Sequence, residues 1–238
     1  VLGGDGTHKA VAAEVGDIPL LTLSTGTNNA FPELRESTSA GLAGGLCASG
    51  RIPSGVGLRR NKRLLVREHA RGICEWALVD VAVSSQPFIG ARAICRAEDL
   101  AEVFVTFAEP HAIGLSALCG LWCPVSRQSP LGAWVRLNPN ADDAVLVPLA
   151  PGLLQGCAVS ACGSMQPGVA YSPSLLNGTL ALDGEREIEF SANDHPTVTL
   201  DPYGPISIDV EAVLAYAALH RLLAIGREHP QHPANLPC

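Results

Sequence analysis

The opening stretch Val1-Leu2-Gly3-Gly4-Asp5-Gly6-Thr7, followed by His8-Lys9-Ala10-Val11-Ala12-Ala13-Glu14-Val15, reads as the end of a strand, a glycine turn and a helix. Such a turn leaves several backbone N–H groups free to converge on one oxyanion, and the helix N-terminus adds its partial positive charge. A phosphate is the natural guest. Gly3, Gly4 and Gly6 let the main chain approach it and adopt positive φ, and the Thr7 hydroxyl can donate. Asp5 would repel a phosphate unless it has a task. It can hold a Mg²⁺ ion that bridges phosphate oxygens, or take the proton from an attacking hydroxyl.

Working outward, Gly16-Asp17 stops the helix and Ile18 to Ser24 reads as a short buried parallel strand. It runs into the polar loop Thr25-Gly26-Thr27-Asn28-Asn29-Ala30-Phe31-Pro32-Glu33. Two loops that leave parallel strands lie on the same carboxyl edge, where open α/β sheets bind ligands. They are expected to face one pocket. Ser37 to Ala48 is rich in small residues and predicts a helix packed closely on the sheet, ending at Gly50.

The chain starts without a Met, and Val1-Leu2 is a short stub against the roughly five residues of an ordinary strand. A doubly wound sheet needs more strands than this, so an N-terminal segment carrying the first ones is expected to be missing.

From Arg51 to Gly57 the composition changes, and strands are predicted at Arg63–Arg67, Trp76–Val83, Val103–Ala108, Trp134–Leu137, Val145–Leu149 and Leu180–Asp183. The uncharged stretches Pro110 to Ser126 and Ala144 to Leu182 are broken by Gly and Pro, and read as buried strands and turns rather than membrane spans. Ser207 to Ala224 carries apolar residues at helical spacing, acids Asp209 and Glu211 in its first turn and Gly226 as a stop. This helix is expected to return to the first domain. The domain reading is 1–55 for the C-terminal part of a Rossmann-like nucleotide-binding domain, 56–205 for a β-sandwich, 206–226 for the returning helix and 227–238 for a tail.

With 47% apolar and 16% charged residues among 238, the chain can bury an ample core. A net charge of −7 argues against nucleic acid as the main partner. Residues 1–7 lack a basic start and an apolar core, so no secretory signal is read there. The eight cysteines are scattered, which points to reduced thiols in the cytoplasm. Cys119/Cys123 and Cys157/Cys162 are the close pairs, and neither has histidines at zinc-finger spacing.

The glycine turn with its helix, and the Thr25-Gly26-Thr27-Asn28-Asn29-Ala30-Phe31 loop after it, resemble the superfamily that joins NAD kinases with diacylglycerol and sphingosine kinases. The stretch from Val1 to Gly44 is most similar to the acetoin-catabolism protein X family. The resemblance implies an α/β plus all-β fold: a truncated Rossmann-like N-terminal domain, a C-terminal β-sandwich and a final helix that returns. It implies ATP or a related nucleotide with Mg²⁺, NAD as a candidate phosphate acceptor, and homo-oligomers formed through the β-domain.

Carried over from the kinases, Asp5 becomes the catalytic residue, as base or metal-linked group, on a turn in which Gly3, Gly4, Gly6 and Thr7 hold the nucleotide. Thr27, Asn28 and Asn29 become nucleotide contacts, although asparagines in such a loop also serve simply to shape a turn. Leu182-Asp183-Gly184-Glu185 resembles the Asp-Gly-Glu turn of the lipid kinases, which nominates Glu185 as a base, while Asp-Gly is also a common hairpin turn.

Asp80 falls on the acidic position of the Asn-Glu pair of NAD kinases, with Val79 where the Asn would stand. A Gly-Ser-Thr-Ala-Tyr segment is absent at the expected distance, which weakens NAD as acceptor and leaves a non-catalytic nucleotide sensor as the rival reading. Arg59, Arg60, Lys62, Arg63 and Arg67 read as a solvated face rather than a triphosphate clamp. His8 and Lys9, just inside the first helix, are better placed for phosphate.

Overall fold

Two parallel strands open the chain, and their ends fix where everything else meets. In the computed structural model, which describes residues 1–26, 29–86, 99–184 and 186–225, β1 (Leu2–Gly3) pairs with β2 (Leu23–Ser24). Helix α1 (Asp5–Glu14) starts directly after β1. The predicted strand Ile18–Ser24 contracts to β2 because Leu20 is drawn to another partner: its N–H donates to the Ile206 carbonyl at 2.8 Å and its carbonyl accepts from Ile208 at 2.9 Å.

Helix α2 (Ser37–Ala48) has the bounds its composition suggests. The Glu36 carboxylate caps it, accepting from the backbone N–H groups of Thr38 at 2.9 Å and Ser39 at 2.8 Å. These bonds pull the Glu36 pKa down to about 2.

The β region runs through β3 (Leu58–Arg60), β4 (Arg63–Glu68), β5 (Ile73–Ala77), β6 (Asp80–Ser84) and β7 (Leu100–Val105). After helix α3 (Leu115–Trp122) come β8 (Gly132–Leu137), β9 (Ala144–Ala150) and β10 (Leu153–Met165). Then follow β11 (Ala170–Tyr171), β12 (Gly178–Leu182), β13 (Arg186–Phe190), β14 (Thr197–Asp201), β15 (Ile206–Ile208) and helix α4 (Val210–Leu219).

Seven strands form one antiparallel sheet in the order β13-β12-β6-β7-β8-β10-β9, and four form a second in the order β11-β14-β4-β5. Leu64, Val66, Val198 and Leu200 of the smaller sheet share a core with Val81, Val83, Phe104, Leu180 and Leu182 of the larger one. The other face of the large sheet buries Val103, Val105, Ala133 and Val135 against Ala117, Leu118 and Cys119 of α3.

Helix α3 lies in the uncharged stretch Pro110 to Ser126, whose glycines and proline predict strands and turns. Its Leu115, Leu118, Cys119 and Trp122 nevertheless recur at the spacing of one helix face. The single predicted strand Trp76–Val83 is two strands in different sheets, because the chain crosses from one sheet to the other at Leu78-Val79.

Helix α4 is shorter than predicted at both ends. Asp209 caps its start, accepting from the Ala212 N–H at 3.1 Å, and Ser207 belongs to β15. Its end needs no glycine: Arg221 takes φ +53, while Leu222 N–H bonds the Ala217 carbonyl and Arg221 N–H the Ala218 carbonyl. Val210, Val213 and Ala217 of α4 pack with Ala40, Ala43 and Leu46 of α2 and with Leu23. The fold is thus an α/β unit followed by a β unit, with the final helix covering the first.

Candidate active site

The ends of β1 and β2 deliver the glycine turn and the Asn29–Phe31 segment to one place. None of Gly3, Gly4 or Gly6 has a positive φ, so the expectation of left-handed backbone there is corrected. Gly4 caps α1 with φ −89, and Gly6 is inside the helix. Close approach is what excludes side chains. A Cβ on Gly3 would lie 2.6 Å from the Thr7 Cβ, and one on Gly4 would lie 2.8 Å from the Asn29 Oδ1. Asn29 therefore sits over the turn, with its Nδ2 donating to the Ser24 Oγ at 2.8 Å. The first-turn N–H groups of α1 have no intrahelical acceptor, and Gly4 supplies no side-chain cap for them.

Asp5 ties the two loops together. Its carboxylate accepts from the Ala30 N–H at 3.0 Å and the Phe31 N–H at 2.8 Å. Each oxygen keeps a further lone pair. Burial raises the Asp5 pKa above its ordinary 3.8, against the pull of those two hydrogen bonds, and the charge of Asp183 adds to the rise.

His8 is fully buried, its Nδ1 2.8 Å from the Gly4 carbonyl, its ring beside Phe31 and its Nε2 without a partner among the described residues. Phe31 packs with Leu78, Val79 and Phe107 in a small core that docks the loop on the crossing between the two sheets.

That crossing brings in Asp183, which sequence reasoning quoted but did not select. Its carboxylate accepts from the N–H groups of Leu78 (2.9 Å), Val79 (2.8 Å) and Asp80 (3.3 Å), and Lys9 Nζ lies 3.4 Å away. Lys9 is therefore paired with a carboxylate instead of standing free for phosphate. The signal for Asp183 was its Asp-Gly turn, which puts the residue at φ +52.

Asp80 lies in the same group. Burial first, then the charges of Asp183 and Asp5, push its pKa well above 3.8, with Lys9 opposing. The structure thus gathers Asp5 and Asp80 of the expected set with Gly3, Gly4, Thr7 and Asn29. Thr27, Asn28 and Glu185 lie outside the described residues, as do Cys95, Cys238 and the tail 227–238.

The acids do not form a protein-only metal cage, whereas a Mg²⁺ ion bridging phosphate oxygens needs only one or two carboxylates. Asp183 is occupied by three backbone N–H groups and Lys9. Among the described residues, no group of three or more His, Cys, Asp or Glu side chains could hold one ion. The arginines near residue 60 are absorbed structurally: Arg59 pairs with Asp209, Arg60 with Asp17 and Arg63 with Asp201. Lys62 Nζ donates to the carbonyls of Ser129 (2.7 Å) and Leu131 (2.6 Å), and burial lowers its pKa to about 8. No helix among the described residues is long and apolar enough to cross a membrane.

Residues 62–203 match the family model of the acetoin catabolism protein X C-terminal domain. The chain belongs to the acetoin catabolism protein X family. Residues 1–52 match the ATP-NAD kinase N-terminal domain, so the family-matched β region and the glycine-turn region meet at the acids just described. The acetoin catabolism protein X of Cupriavidus necator is 44% identical over 239 aligned residues, which cover 98% of this chain and 66% of that protein. The chain thus spans a little under two thirds of the relative's length. Yeast NADH kinase, solved in complex with NADH, is similar in fold, with a TM-score of 0.53 at 14% identity over 96% of this chain and 67% of that one. The resemblance to the NAD-kinase-like superfamily therefore holds for sequence and for fold.

Proposed function

We propose that this acetoin catabolism protein X family member binds ATP or a related nucleotide at Gly3–Thr7 and the Thr27–Asn29 loop, and transfers a phosphate to a hydroxyl of a small metabolite. NAD is one candidate acceptor. The observation that carries the reading is the Asp5 carboxylate bridging the α1 turn to Ala30 and Phe31, which joins the two loops a nucleotide would need. Residues 1–55 with the returning helix α4 (Val210–Leu219) would hold the donor. The 56–205 region would bring the acceptor side, with Asp80 as a binding residue and Glu185 as a second candidate base. Asp5 is the proposed base, using the lone pairs its two backbone bonds leave free. A cytoplasmic homo-oligomer acting on a small molecule, in acetoin breakdown, is the accompanying proposal.

One observation favours a second reading. Both Asp5 oxygens already serve the backbone, as suits a residue that shapes a binding site without turning over, so a nucleotide-binding regulator is the rival. A thermal-shift panel with ATP, NAD and NADH, followed by an ATP-consumption assay with each acceptor, separates the two. Nucleotide-induced stabilisation with acceptor-dependent ADP release supports the kinase. Stabilisation without any ADP release sinks it in favour of the regulator, and no stabilisation by any nucleotide sinks both.

A further inference from the structure

Arg127 lies in the segment between α3 and β8, far in sequence from the glycine turn, yet its side chain is only 14% exposed. Glu109 fixes it from behind, accepting from the Arg127 Nε and backbone N–H at 3.3 Å each. The guanidinium lies 4.0 Å over the Phe107 ring. This leaves both terminal nitrogens to point one way. Nη1 donates to the Phe31 carbonyl at 2.9 Å, and Nη2 donates to the Ala30 carbonyl.

Ala30 and Phe31 are also the residues whose N–H groups Asp5 accepts. The peptide unit between them therefore bridges a cation and a carboxylate: its carbonyl takes the Arg127 Nη2 hydrogen and its N–H gives to Asp5 Oδ1. A cation on the carbonyl polarises the amide and strengthens the bond its N–H makes. The loop is held from both sides, by α1 through its donors and by the β region through its acceptors.

We infer that Arg127 is a positioning residue that sets the Asn29–Phe31 segment against the Asp5 turn, so that the β region controls the geometry of the nucleotide site. The inference rests on the nucleotide-binding reading of that loop. A planar fork is required, because two neighbouring carbonyls are met by two nitrogens of one rigid group, and a lysine ammonium offers a single flexible point. The charged and titratable groups that act on Asp5 in this arrangement are His8 of α1, Asp80 at the sheet crossing and Asp183 of the β12–β13 turn, which Lys9 of α1 in turn pairs.

The test compares wild type, Arg127→Ala and Arg127→Lys. Amide exchange is read on the ligand-free protein, and ATP affinity, KM and kcat well below the melting temperature. Loss of the fork is expected to speed exchange at Ala30 and Phe31 about tenfold in Arg127→Ala, leaving β4 and β14 unchanged. It is also expected to weaken ATP binding and raise its KM about tenfold with kcat less affected, and Arg127→Lys should fall between.

Unchanged exchange at both amides in either variant overturns the inference, and Arg127→Lys carries the test alone where Arg127→Ala does not fold. Faster exchange with wild-type ATP affinity and KM also overturns it. A wild type that binds neither ATP nor NADH overturns the functional reading separately, because exchange still reads the grip without ligand.

Discussion

Replacing Asp5 by Asn separates a base from a linchpin. The carboxylate accepts two backbone N–H groups at 3.0 and 2.8 Å. Asparagine keeps one acceptor oxygen and turns an NH₂ toward the other N–H, so one bond becomes neutral and the other sets donor against donor. Hydrogen bonds to charged groups contribute about 1.5–3 kcal/mol against about 1 kcal/mol for neutral ones. Relief of a buried charge offsets part of the loss.

The net change is about 2 kcal/mol in favour of the undocked loop, which weakens nucleotide binding by up to roughly 30-fold. A residue acting only as a base would leave affinity intact and lower kcat by about 10²–10⁴. Calorimetric titration of ATP and NADH into wild type and Asp5→Asn reads the difference. Affinity within about twofold of wild type, with the Ala30 and Phe31 amides still protected from exchange, would refute the linchpin argument.

Three further outcomes follow from the geometry. Gly57 has φ +68, and a Cβ there would lie 2.2 Å from the Val213 Cγ2 of α4, so Gly57→Ala should cost about 3 kcal/mol and lower Tm by roughly 6–12 °C in a thermal melt. Asp80 holds a proton in the native state at pH values where the unfolded chain, with its ordinary 3.8, has lost it, so stability falls as pH rises through the native value. Asp80→Asn should therefore melt higher than wild type at pH 8, with the gap closing toward pH 4, while weakening nucleotide binding. Glu36 has the opposite sign: its contribution is present above the ordinary 4.5 and lost as pH falls to about 2. Glu36→Gln should melt lower than wild type at pH 6–7 and converge with it between pH 4.5 and 2.

The glycine turn and helix α2 were legible because their signals are local. Close approach, capping and small-residue packing are written in adjacent residues. Helix α3 was missed because Gly114 and Gly120 look like breakers, although Gly114 stands just before the helix and Gly120 lies within its buried part.

The end of α4 was misplaced for the reverse reason, since Arg221 takes the left-handed position that sequence reasoning reserves for glycine. At the site, Asp5 and Asp80 could be named from motifs, but their meeting could not. It depends on the Leu78-Val79 crossing between sheets and on Asp183 collecting three N–H groups from it. Arg127 left no signal at all, because its partners are carbonyl oxygens 96 and 97 residues away, and any residue type supplies those.

Asp5 is proposed to join two loops into a nucleotide site that passes a phosphate on. That role is tested most directly by incubating the purified protein with ATP and NADH and following ADP and phosphorylated product together by mass spectrometry. ADP and a phosphorylated acceptor are expected in equal amounts, both falling with Asp5→Asn. ATP left intact beside every acceptor tried, by a protein that binds it no more tightly than Asp5→Asn does, would contradict that role.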